Sequence, residues 1–155
     1  MEPEFAQIAK EEILRNVIKT HSIVLLLGWH GVGKTASSLR AVRGLWKPYY
    51  LKASGGIAAA GITAYNSEVV LLGRLDELPA GPSSVDALII DDFDMAPEEI
   101  VSAVNQFITQ RNFPGKIVII AEAQAGLEEA GLRVDAVVRM KEDTAQILYT
   151  CLREI

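Results

Sequence analysis

Eight residues, Gly28-Trp29-His30-Gly31-Val32-Gly33-Lys34-Thr35, follow the continuous apolar run Ile23 to Leu27 and open a helical pattern. They satisfy G-x-x-x-x-G-K-[ST] in the strand-to-helix context that the pattern requires. The glycines let the backbone curl and turn its N–H groups towards an anion. The helix N-terminus adds a partial positive charge of about half an electron unit. Lys34 is expected to reach the β- and γ-phosphates, and the Thr35 hydroxyl to hold magnesium. A glycine-rich turn without a ligand accounts for the segment less well. Lys34 at a helix start opposes the macrodipole, and three glycines cost stability that a bound phosphate would offset. The expected ligand is a nucleoside triphosphate, ATP with Mg2+, held by Gly28, Trp29, His30, Gly31, Val32, Gly33, Lys34, Thr35 and Ala36. Trp29 and His30 occupy free positions of the pattern, and His30 reads as an exposed loop histidine.

The run Leu88-Ile89-Ile90-Asp91-Asp92 is a second chemical element, an apolar strand ending in two carboxylates. In a sheet that carries a phosphate loop, this is the place of the metal-directed aspartate, and Asp91 fits it. Asp92 is then placed to polarise the attacking water as a general base. It is shorter than the glutamate many such enzymes carry, so binding is better supported than hydrolysis.

Elsewhere strands and helices alternate. Phe5, Ile8, Ala9, Ile13, Val17 and Ile18 give Glu4 to Thr20 an amphipathic helical spacing. Ser22 to Leu27 reads as a strand buried on both faces. Lys34 to Leu45 is expected as a helix, with strands at Pro48 to Lys52, Glu68 to Leu72 and Val85 to Asp91. Pro97 opens a helix to about Arg111. Strands follow at Lys116 to Ala121 and Asp135 to Met140, with a short helix around Glu128 to Ala130 between them. Asp143 or Thr144 can cap a final helix reaching the C-terminus. The Gly- and Ala-rich stretch Ala53 to Tyr65 reads either as a loop or as a small-residue helix. This alternation predicts one α/β domain, residues 1–155, with a mostly parallel sheet.

Together these residues resemble the nucleotide-binding core of the AAA+ ATPases, over most of the chain. The motifs that carry the likeness are the N-terminal helix, Gly28 to Thr35, the strand to Asp91-Asp92, the helix Pro97 to Arg111 and the strand Lys116 to Ala121. Ile89-Ile90-Asp91-Asp92 is similar to bacterial replication initiators and helicase loaders of that group. The resemblance implies a three-layer P-loop fold with a five-stranded sheet, helices on both faces, and Lys116 to Ala121 inserted between the loop strand and the Asp91 strand. It implies a polar γ-phosphate sensor after that inserted strand, where the chain has Glu122. It also implies that Arg133 supplies a trans-acting arginine across a subunit interface, with a plain surface arginine as the alternative. A helical lid normally follows, but Asp143 to Ile155 has room for about one helix.

Composition narrows the partners. The 155 residues carry 15 basic and 20 acidic side chains, a formal net charge of -5. No basic stripe suited to duplex nucleic acid stands out. Cys151, the one cysteine, lies on an apolar pattern with Ile147, Leu148 and Leu152 and reads as a buried thiol. With no signal peptide and no apolar run near the roughly 20 residues of a membrane helix, the expected setting is cytoplasmic, away from membranes. The main expectation is an ATPase that drives a protein partner or a homo-oligomeric assembly, with Lys34, Asp92 and Arg133 as catalytic groups and Thr35 and Asp91 on the metal. A nucleotide-binding switch with little turnover is the first rival. A P-loop kinase using Arg40, Arg43 or Arg74 as a phosphate clamp is the second.

Overall fold

The computed structural model describes residues 3–55, 61–110, 113–122, 133–142 and 144–150. The elements are α1 (Pro3–Thr20), β1 (Ile23–Leu27), α2 (Lys34–Val42), β2 (Lys47–Lys52), α3 (Ile62–Tyr65), β3 (Val70–Leu72), β4 (Asp86–Asp91), α4 (Glu98–Gln110), β5 (Lys116–Ala121), β6 (Ala136–Met140) and β7 (Ala145–Thr150). The strands form one sheet in the order β3-β2-β4-β5-β1-β6-β7. All pairings are parallel except β6 with β7.

Sequence dictates which faces are covered. All five residues of β1 are buried, as are all six of β4, because the apolar runs meet helices on both sides. Alternate side chains divide between two cores. Val24, Leu26, Ile89, Val118 and Ile120 meet Leu14 and Ile18 of α1 and Leu39 and Val42 of α2. Leu25, Leu88, Ile90 and Ile119 meet Val104 and Ile108 of α4, together with Phe93. Helix, sheet and helix thus form three layers around the centre of the sheet.

Two expectations are corrected. The sheet has seven strands rather than five. Val70–Leu72, within the strand expected at Glu68 to Leu72, is a short edge strand beside β2, and the segment expected to be a C-terminal helix is β7, antiparallel to β6. Thr144 does not cap a helix. Its carbonyl accepts from Lys141 N at 2.7 Å and so closes the turn into β7. The reason is pairing: β6 lies at the margin of the parallel sheet with Val138 and Met140 buried, and its outer backbone groups need partners. The short helix around residues 128–130 and Cys151 lie outside the described residues. So do residues 56–60 of the Gly- and Ala-rich stretch, whose later part forms the single turn α3. Among the described residues, no helix is long and apolar enough to cross a membrane.

Candidate functional site

The C-terminal end of β1 turns sharply at Gly28, where a Cβ would come within 2.7 Å of the Met140 carbonyl oxygen, so any larger residue would push the turn off β6. Gly31 and Gly33 take positive φ values of 90° and 86°, backbone that a side chain would strain. Gly33 caps α2 without a side-chain hydrogen bond, which leaves the first amides of the helix available to an outside acceptor.

Lys34 folds back over the loop it ends. Its ammonium donates to the carbonyls of Gly28 and, at 3.1 Å, of Trp29, with only 9% of the residue exposed. Burial pulls its pKa below the ordinary lysine value, against the raising influence of Glu122, Asp91, Asp94 and Asp92.

At the next residue of α2, the Thr35 hydroxyl donates to Asp91 Oδ2 at 2.7 Å. Asp91 ends β4 and is 6% exposed. The same Oδ2 accepts from the Tyr50 phenol at 2.6 Å, and Oδ1 accepts from the Asp92 amide at 2.9 Å. Tyr50 is in turn pushed well above the ordinary phenol range, by burial first and then by its bond to Asp91, so it stays a donor.

Asp92 leaves the strand in the left-handed region, with φ 53°, and lines the same cavity as Asp91. Burial, then the Asp91 charge, raise its pKa above the ordinary carboxylate value, and Lys52 and Ser54 partly offset them. The Ser54 hydroxyl approaches its Oδ2 at 3.4 Å.

These groups surround a cavity of about 380 Å³, lined by His30, Gly31, Gly33, Lys34, Thr35 and Ala36 on the loop side and by Asp91, Asp92, Asp94 and Glu122 on the sheet side. A second cavity of about 890 Å³ shares His30, Gly31, Asp94 and Glu122 with it and continues along Trp29 and Val32 to Arg139, Lys141 and Glu142. Trp29 stands 83% exposed at its rim. Glu122 does not offer a neutral donor at the end of β5. It faces His30 Nδ1 at 3.2 Å, and its amide donates to Asp94.

The loop, Lys34, Thr35, Asp91 and Asp92 therefore converge on one cavity, whereas Arg133 is not brought to it. It lies exposed ahead of β6, where Asp135 N bonds Ile23 O at the start of β1. The loop follows the other end of β1, five residues on, or roughly 16 Å at strand rise. Nor do Arg40, Arg43 or Arg74 line the cavity. Arg40 pairs with Glu11 at 3.6 Å and Arg74 with Asp76 at 3.2 Å. Tyr50, Asp94 and Ser54 were not legible as site residues. Tyr50 shares its pattern with any core strand residue, and only the packing of β2 beside β4 brings it to Asp91.

The donor set suits magnesium. A hydroxyl and a carboxylate are hard oxygen ligands, and magnesium is commonly held by one or two such groups together with substrate phosphates. Among the described residues, no group of three or more His, Cys, Asp or Glu could hold a metal by itself. Four carboxylates facing one lysine would also repel a bare phosphate chain, so the cavity fits a phosphate that arrives with its cation.

No protein-family model matches the chain, and no curated protein matches it. A solved structure called "ATPase" superposes with a TM-score of 0.43 at 14% identity, over 79% of this chain and 66% of that one. The chain thus spans just under two thirds of that structure's length, a likeness too distant to bear on function.

Proposed function

We propose that residues 1–155 form one nucleotide-binding unit that holds ATP with magnesium and hydrolyses it. The observation that carries this reading is the 2.7 Å bond from Thr35 to Asp91, which joins the start of the phosphate-loop helix to the end of β4 beside a buried, retractable lysine. On nucleotide binding, Lys34 exchanges the carbonyls of Gly28 and Trp29 for phosphate oxygens, and the open amides at the start of α2 donate to the phosphates as well. Thr35 and Asp91 are the residues that would hold the cation, and when bound it would neutralise charge on the phosphates. Asp92, its pKa raised, accepts a proton from the water that attacks the γ-phosphorus. The bond to the β-phosphate oxygen breaks, leaving ADP and inorganic phosphate.

Placement within the AAA+ group is part of the proposal. Insertion of β5 between β1 and β4 supports it; the antiparallel β7, where a helical lid would begin, weighs against it. Work on a protein partner, or within an assembly of copies, belongs to the same proposal. A slow nucleotide-binding switch is favoured by one observation: besides Lys34, no cation lines the phosphate cavity among the described residues. The kinase reading loses ground because none of its three arginines lies there.

The test is thermal stability. Magnesium-ATP at 100 times its dissociation constant is expected to stabilise the fold by about 2.7 kcal/mol, and Lys34→Ala to abolish the gain. An equal shift in both proteins would sink the site.

A further inference from the structure

Resting on that reading, we infer that Tyr50 is a positioning residue for the magnesium site, holding the Asp91 carboxylate on Thr35. The phenol belongs to β2, where Tyr50 lies level with Ile89 and Lys52 level with Asp91. Tyr50 and Asp91 therefore project to the same face of the sheet, two residues apart along the strands, or about 6.6 Å. A tyrosine side chain spans that gap and ends in the hydroxyl that bonds Oδ2 at 2.6 Å. Tyr50 is 3% exposed, which leaves its ring little freedom to move.

Three donors act on one buried carboxylate. Thr35 comes from α2, Tyr50 from β2, and the Asp92 amide from the chain just beyond β4. Thr35 and Tyr50 share Oδ2 from two different elements, and the amide holds Oδ1. Such a clamp leaves Asp91 no freedom to turn about its side-chain bonds, and it draws charge from the oxygen nearest the helix. A carboxylate held in this way meets a hydrated cation in one orientation. Groups that orient a metal ligand commonly change metal affinity by about 10- to 100-fold when they are removed. The backbone just beyond β2 reinforces the arrangement, because the Ala53 amide donates to the Asp91 carbonyl at 2.8 Å.

The experiment titrates Mg2+ at fixed ATP and reads the nucleotide-dependent thermal shift, with its plateau at saturating Mg2+ recorded as well. Tyr50→Phe is expected to raise the half-saturating Mg2+ about tenfold while reaching the wild-type plateau. In an Asp91→Asn background, the same substitution should add much less, because the two residues act as one unit. A purely structural tyrosine would lower the melting temperature without moving the Mg2+ midpoint, and that result overturns the inference. A full tenfold effect on top of Asp91→Asn also overturns it. Failure of the wild type to bind nucleotide with Mg2+ would instead remove the underlying reading, and this inference with it. Should Tyr50→Phe not fold, 3-fluorotyrosine in the wild-type chain allows a second measurement. The Tyr50 fluorine resonance, assigned through Tyr49→Phe, Tyr65→Phe and Tyr149→Phe, is expected to shift on adding Mg2+ with ATP but not with ATP in EDTA. A resonance that ignores the cation overturns the proposal.

Discussion

Asp92 shows how a single residue sets stability against chemistry. Its backbone lies at φ 53°, where asparagine is better tolerated than most residues. Its pKa is raised by burial and by Asp91, so the ionised form costs the metal-free fold stability. A carboxyl with a raised folded pKa stabilises below its unfolded value and loses that contribution as pH rises through the folded one. Asp92→Asn is accordingly expected to raise the melting temperature of the metal-free protein at neutral pH, because it removes a charge that burial and Asp91 disfavour. The gain should disappear as the pH falls towards 4, in scanning calorimetry at several pH values. In the same variant, ATP turnover should fall about 10²- to 10⁴-fold, the usual contribution of a positioned base. A variant that keeps full turnover would remove Asp92 from the chemistry.

Among the elements, β5 and the turn after β1 tolerate least. Gly115 opens β5 against β4, and a Cβ there would run into the Asp86 carbonyl. Gly115→Ala is expected to cost 3 kcal/mol or more, roughly the upper end of overpacking penalties, seen as a lowered urea midpoint. Gly28→Ala meets the Met140 carbonyl at 2.7 Å and should cost about 1–3 kcal/mol. Because the turn it displaces also holds Lys34, this variant should lose the ATP-dependent thermal shift as well. Stability should also be graded across the sheet. Hydrogen exchange is expected to be slowest in β1 and β5, which are paired on both sides and covered on both faces. It should be fastest in β3, three residues at the edge with Val70 and Leu71 exposed.

For the molecule as a whole, the open question is whether one copy makes a complete site. Lys34 is the only cation lining the cavity beside the glycine-rich loop among the described residues, and Arg133 lies towards the opposite end of the sheet. Within one chain it does not reach that cavity; in the proposed function a second copy presents it. Specific ATPase activity is therefore expected to climb with protein concentration, measured over several decades with Lys34→Ala as the blank. Arg133→Ala should flatten that climb towards the dilute rate, a loss of up to about 10³- to 10⁵-fold if it acts as a trans arginine. Concentration-independent turnover would mean a site complete in the monomer, and Arg133 would then be an ordinary surface residue.

Local pattern was enough for much of this. The buried strands β1, β4 and β5 announce themselves as unbroken apolar runs, because a strand covered on both faces has no polar side to show. The glycine-rich turn of the proposed phosphate loop is equally visible, since its glycines and Lys34 are adjacent in the chain and their geometry is local. The place of Asp91 at the end of β4 was legible for the same reason, as the first charge after an apolar run. The rest depended on neighbours. Ala145–Thr150 became β7 rather than a helix because the margin of β6 had backbone groups to satisfy, a demand made by a strand and not by the segment itself. Tyr50 joined Asp91 because β2 lies beside β4, forty-one residues on. Arg133 fell at the far end of the strands because β6 runs parallel to β1. Periodicity within a segment records what covers it, but reach between segments follows from sheet order and strand direction, which arise only when the whole chain packs.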